Sequence, residues 1–130
     1  MSRSASGDEA ALGIMLADYQ AAARSRGLPW ELNEEDLRRL TGLACHYCGI
    51  APGVPAAGLP GGKGYTRNGV DTVDGTSGYI PDNCLPCCET CLYIRGGRPY
   101  AEFIEWLEQV AAHQALRNVE TPGDLFGPEV

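Results

Sequence analysis

The sequence predicts an α+β fold, and three observations carry the prediction. Two Cys-x-x-Cys pairs lie far apart, Cys45-His46-Tyr47-Cys48 and Cys88-Glu89-Thr90-Cys91. Short β-type segments fall between them, at Val70–Val73 and Cys84–Leu85. Apolar residues recur at helical spacing toward both ends. One Cys-x-x-Cys brings two thiolates within reach of a single tetrahedral ion, so two such pairs specify a closed four-sulfur site for structural zinc. With 130 residues the chain reads as one domain, long enough to bury about two-thirds of its unfolded surface.

Each element has a local reason. Residues 8–26 read as a helix because Leu12, Met15, Leu16 and Tyr19 share a face that Ala22 and Ala23 extend, and Gly27-Leu28-Pro29 stops it. Trp30-Glu31-Leu32 is extended. Asn33 caps a second helix whose first turn, Glu34-Glu35-Asp36, suits the positive end of the helix dipole, and Leu37 and Leu40 face inward. Gly49, just past the first cysteine pair, supplies a left-handed turn, and His46 inside that knuckle points outward. Residues 50–67 are a mobile Gly/Pro-rich loop; Gly58, Gly61, Gly62 and Gly64 lack the Gly-Lys-Ser/Thr ending of a phosphate cradle. Asp74-Gly75-Thr76-Ser77-Gly78 is a turn between the two strands.

A third pair, Cys84-x-x-Cys87, overlaps Cys88-x-x-Cys91 and competes with it on spacing alone. Cys84 belongs to the returning strand, whereas Cys88 opens a helix that runs to Gly96-Gly97. Cys45, Cys48, Cys88 and Cys91 are therefore the expected zinc ligands, and Cys84 and Cys87 are expected to be buried thiols. From Pro99 to about Leu116 a last helix carries Tyr100, Phe103, Ile104, Leu107, Val110 and Ala111 on one face, with Glu102, Glu105 and Glu108 outside. The expected layout is N-terminal helices over 1–44, a zinc-bound core over 45–98, a C-terminal helix over 99–117 and a flexible tail over 118–130.

The net charge of −7 speaks against a protein held to nucleic acid by non-specific phosphate contacts, which need clustered cations. Residues 1–44 carry five basic and seven acidic side chains, residues 45–100 four of each, and residues 101–130 one and six, so the excess acid lies on the flanks. Lys63, Arg67, Arg95 and Arg98 remain as candidates for a modest positive patch. Met1–Glu9 has no apolar core of a signal peptide, and no apolar run approaches the roughly 20 residues of a membrane span. A cytoplasmic protein with reduced thiols is the expectation.

From Leu28 to Leu107 the chain resembles the HNH endonucleases, whose core is a zinc-stabilised, treble-clef-like ββα-metal unit. The motifs that carry the resemblance are Cys-His-Tyr-Cys-Gly, Asn-Gly-Val-Asp-x-Val-Asp over 68–74, Gly-Tyr-x-Pro-Asp-Asn-Cys-x-Pro-Cys-Cys-x-Thr-Cys over 78–91, and a Phe-bearing C-terminal helix. The resemblance implies a catalytic divalent ion, Mg²⁺ or another, between hairpin and helix. It maps Asp71 to the metal carboxylate, Asn83 to the loop asparagine, Thr72 to the general-base histidine, Leu92 to the metal ligand after the last cysteine, and Arg95 to a lysine. Two of these substitutions remove chemistry. A threonine hydroxyl is essentially never deprotonated at neutral pH, and leucine coordinates nothing.

Three functions follow. A degenerate HNH-like zinc domain would act by binding or regulation, with a protein partner or small-molecule ligand favoured and nucleic acid open by resemblance. An active endonuclease would hold its ion on Asp71 and Asp74 and rely on the ion to lower the pKa of bound water. A small-molecule enzyme would reuse a pocket of Asp71, Thr72, Tyr79, Leu92, Tyr93 and Arg95.

Overall fold

The computed structural model describes residues 2–53 and 66–120. Its elements are helix α1 (Ser2–Ser25), helix α2 (Glu34–Thr41), strand β1 (Gly69–Thr72), a 3₁₀ turn (Pro81–Asn83), strand β2 (Cys84–Cys87), helix α3 (Glu89–Arg95) and helix α4 (Tyr100–Glu120). The chain divides into two compact units, one ending at Gly97 and the other beginning at Arg98. No described helix is long and apolar enough to cross a membrane.

In the first unit, α1 starts at Ser2 rather than at residue 8 and ends before Gly27, whose φ of 68° closes the helix. Helix α2 begins with the reciprocal cap that its sequence encodes: the Asp36 amide donates to Asn33 Oδ1 at 2.8 Å and the Asn33 amide to Asp36 Oδ2 at 3.1 Å. Such a box satisfies two helix-end donors that would otherwise lack partners. Leu12, Ala23, Leu32, Leu37, Leu40, Val70, Tyr79 and Cys84 form one buried cluster, so the N-terminal helices share a core with the hairpin. Burial of each leucine contributes about 1.5–3 kcal/mol.

Strands β1 and β2 pair antiparallel, with Gly69 opposite Cys87, Val70 opposite Pro86, Asp71 opposite Leu85 and Thr72 opposite Cys84. Strand β1 stops one residue short of the expected Val73, whose amide leaves the ladder to donate to the Asn83 carbonyl at 2.9 Å. Three contacts from the helices set the strand in place. The Val70 amide donates to the Tyr19 hydroxyl at 2.9 Å, and the Asn68 amide to the Thr41 carbonyl at 3.0 Å. Arg67 grips Asp8 through Nε at 2.9 Å and Nη2 at 2.8 Å, while its Nη1 reaches the Arg38 carbonyl at 3.0 Å and Thr41 Oγ1 at 3.1 Å.

The hairpin connection is closed against the segment after α1. Tyr79 donates its amide to the Pro29 carbonyl at 2.9 Å and accepts at its own carbonyl from the Glu31 amide at 2.7 Å. This bridge requires glycine at 78: its φ is +79°, and a Cβ there would sit 2.6–2.8 Å from Pro29 atoms. The rings of Tyr79 and Trp30 lie 5.3 Å apart, and those of Tyr79 and Tyr19 5.8 Å.

Helix α4 outlasts its expected end at Leu116 and reaches Glu120. Along it Phe103 and Trp106 stack with ring centroids 6.0 Å apart, and Val110 and Leu116 are exposed. The expected mobile stretch of loop 50–67 lies largely, at 54–65 including Lys63, outside the described residues, as does the tail beyond 120.

Candidate metal centre and the Asp71 site

The two cysteine pairs meet. Sγ atoms of Cys45, Cys48, Cys88 and Cys91 all lie within 4.8 Å of one another. A Zn–S bond of about 2.3 Å places tetrahedral sulfurs about 3.8 Å apart, and Cys48 Sγ stands 3.7 Å from Cys88 Sγ. The geometry therefore fits a closed structural zinc. The first knuckle turns at Gly49, with φ of 80° as its sequence requires, and the Gly49 amide donates to the Cys45 carbonyl at 2.9 Å. His46 is exposed, its ring edge-on to Tyr47 at 5.1 Å. The second pair opens α3: Cys88 is the helix cap, and its sulfur accepts from the Cys91 amide at 3.4 Å.

Geometry, not thiol acidity, separates the four-sulfur group from the other two cysteines. Burial raises the Cys45 thiol, but the amides of Cys48, Cys88 and Tyr47 outweigh it and lower the thiol to about 7. Burial, joined by the neighbouring Cys45 charge, pushes Cys88 and Cys91 up, so without a cation this cluster resists holding several thiolates together. A divalent ion reverses that balance, because coordinated thiols are deprotonated outright. Cys84 and Cys87 are buried and stand outside the four-sulfur group, although Cys87 packs against Cys45, Cys88 and Cys91; burial pushes the Cys84 thiol up to about 11 and the Cys87 thiol higher still. Both are buried thiols, as expected from the sequence.

The Asp71 site lies beside this centre, on β1. Arg95 reaches back from the last turn of α3, and its Nη1 donates to Asp71 Oδ2 at 2.7 Å. The same nitrogen reaches the Tyr47 hydroxyl at 3.2 Å and the Thr72 carbonyl, and Nη2 donates to the Val73 carbonyl at 2.9 Å. Tyr47 itself donates to Asp71 Oδ2 at 2.6 Å. Side-chain exposure is only 6% for Arg95 and 12% for Asp71. Burial, with Asp71 alongside, raises the Tyr47 phenol well above its ordinary value, so it stays protonated and donates. Tyr47 was not among the residues singled out from the sequence. It lies inside a cysteine knuckle and nothing local marks it; only the fold brings it to Asp71.

The other sequence-predicted positions distribute as follows. Asn83 ties the hairpin connection together: its Oδ1 accepts from the Asp74 amide at 2.9 Å, and its Nδ2 donates to the carbonyls of Asp74 at 2.8 Å and Gly78 at 2.9 Å. Thr72 is half-buried at the end of the ladder, opposite Cys84. Leu92 packs against the cysteine cluster. Asp74 spends its carboxylate on its own turn, accepting from the amide and hydroxyl of Thr76 and the hydroxyl of Ser77; these bonds hold it below the usual carboxylate range. Tyr79 belongs to the core shared with α1 and α2, whereas Tyr93 is 68% exposed. Of the cations offered for a positive patch, Arg67 and Arg95 are committed to Asp8 and Asp71. A patch built on the four candidates would lose both to internal ion pairs.

An α+β chain with a zinc-type four-cysteine group, a two-stranded hairpin and a helix packed behind it has an HNH-like fold. Comparison with known proteins agrees. The solved structure of the rare-cutting HNH restriction endonuclease PacI, reported with a mechanism of DNA perturbation, matches with a TM-score of 0.60 and 20% identity, over 82% of this chain and 81% of that one. At that identity the likeness defines the fold. Uncharacterized protein R423 of Acanthamoeba polyphaga mimivirus is 31% identical over 78 residues, 60% of this chain. The match spans only 13% of R423. No protein-family profile matches the chain.

Proposed function

We propose that this chain is an HNH-like zinc domain that has given up phosphodiester hydrolysis and acts by binding, with a protein as its partner. One observation carries the reading: Asp71 Oδ2, the oxygen a catalytic ion would need, accepts from Arg95 at 2.7 Å and Tyr47 at 2.6 Å. A guanidinium so placed opposes a divalent ion by charge and by volume. The residues nearby offer no substitute chemistry, since Thr72 cannot act as a base, Leu92 has no donor atom, and the Tyr47 phenol is raised. The commitment of Arg67 and Arg95 to carboxylates, with a net charge of −7, favours a protein surface over bare nucleic acid.

A second reading, an endonuclease using a divalent ion, is favoured by the structural likeness to an HNH restriction endonuclease. Supercoiled plasmid incubated with the zinc-loaded protein in Mg²⁺, Mn²⁺ or Ni²⁺ separates the two. No nicking is expected. Nicking that vanishes in Asp71→Ala would establish the second reading and dismiss the first.

A further inference from the structure

We infer that the Arg95 guanidinium is an internal cation seated in a preformed, oxygen-lined site, and that removing it opens a site for a small hard cation. The inference rests on the reading above, in which Asp71 serves no external ion in the native chain. Four oxygens surround the guanidinium nitrogens: Asp71 Oδ2 at 2.7 Å, the Tyr47 hydroxyl at 3.2 Å, and the carbonyls of Thr72 and, at 2.9 Å, Val73. One carboxylate with carbonyl and hydroxyl oxygens is the donor set that hard cations take.

Those oxygens are positioned without help from Arg95. Asp71 and Thr72 are held in the β1–β2 ladder opposite Leu85 and Cys84. The amide of Val73 is bound to the Asn83 carbonyl at 2.9 Å, and Asn83 also holds both backbone groups of Asp74. Tyr47 sits between Cys45 and Cys48 and packs against the cysteine cluster. The ligand set should therefore outlast the loss of the arginine. Its need for a cation should outlast it too, because a carboxylate with 12% exposure is costly to leave unpaired.

The geometry also says why the resident cation is arginine. Two nitrogens on a planar fork reach two successive carbonyls as well as the carboxylate, whereas a lysine ammonium is a single point of charge. A metal ion, which accepts several oxygens at one centre, meets the same set from the other direction.

The test uses the zinc-loaded full chain and Tb³⁺, whose luminescence a nearby tyrosine excites; Tyr47 lies 2.6 Å from Asp71 Oδ2. Arg95→Met keeps the aliphatic stem and removes the fork. Saturable tyrosine-excited emission is expected in Arg95→Met and in Arg95→Ala. It should weaken at least about tenfold in affinity, about 1.4 kcal/mol, when Asp71→Asn is added, since that change removes the one charged partner of the buried contact. Wild type should lack this Asp71-dependent emission. If a variant fails to fold with zinc alone, as read by circular dichroism, then Mn²⁺, Ca²⁺ or methylguanidinium should restore it. Two results overturn the inference: Asp71-dependent Tb³⁺ binding in wild type as tight as in the variants, or variants that neither bind Tb³⁺ nor gain order from added cations. The functional reading fails separately, on plasmid nicking by wild type, whichever way the Tb³⁺ result falls.

Discussion

Replacing Asn83 should loosen the hairpin connection more than any other single polar change in it. Asn83→Ala deletes three hydrogen bonds, at 2.9, 2.8 and 2.9 Å, to the Asp74 amide, the Asp74 carbonyl and the Gly78 carbonyl. A net contribution of about 1 kcal/mol per bond gives about 3 kcal/mol. Two corrections act in opposite directions. Asp74 is exposed and its backbone can be rehydrated, whereas the bond to Gly78 is buried and its loss leaves that carbonyl with only the longer bond from the Ile80 amide, at 3.2 Å. The expected loss is then about 2–4 kcal/mol, and with a urea slope of about 2 kcal/mol per molar the unfolding midpoint falls by about 1–2 M. Trp30, whose ring lies 5.3 Å from that of Tyr79, reports the transition by fluorescence. Asn83→Asp adds a sign test. The introduced carboxylate keeps the acceptor for Asp74 but faces two carbonyls, so its folded pKa is raised. Its protonated form is the stabilised one, the benefit is present at low pH, and it is lost as pH rises through the folded value. Relative to Asn83→Ala, this variant should be weaker at neutral pH and recover on acidification. A loss under about 1 kcal/mol in Asn83→Ala, or no pH dependence of the difference, would refute the bookkeeping.

Further outcomes are expected. The purified protein should carry one zinc, and chelation should unfold it, because structural zinc contributes about 10 kcal/mol or more in small domains; Cys88→Ser should lose the metal while Cys84→Ser retains it, and the converse in metal analysis would reassign the ligands. Thr72→His with Leu92→Asn, added to Arg95→Lys, should return some divalent-dependent plasmid nicking if the scaffold is a dormant nuclease; continued inactivity in a folded variant would point to a site rebuilt for another role. Asp8 is held below its ordinary 3.8 chiefly by its bond to Arg67, so its contribution is present above that value and is lost as pH falls through the lowered one. Thermal melts of wild type and Asp8→Asn should therefore converge in acid, and by a small margin, since the Asp8 side chain is 40% exposed and such pairs give about 0–1 kcal/mol; parallel curves would deny the pair a role.

What the sequence determined by itself was local. Two cysteines three apart on a knuckle or a helix turn can share a metal, so the four-cysteine group was legible, and with it the choice of Cys88 and Cys91 over Cys84 and Cys87. Asn33 with Asp36, and Gly49 with its left-handed turn, are likewise encoded within a few positions. The order of hairpin and helix followed from where those pieces fell, and it carried the HNH-like fold. Tertiary structure decided the rest. Arg95 meets Asp71 across 24 positions of chain and Tyr47 across 48, distances at which spacing holds no information about contact. Arg67 likewise reaches Asp8 across 59. Arg67 read as a surface cation and Arg95 as a pocket residue free to meet a ligand, because a charge in a sequence has no visible counter-charge; folding supplied one to each. Burial then gave the Arg95 pair its weight, since a carboxylate and a guanidinium removed from water must answer each other or be neutralised.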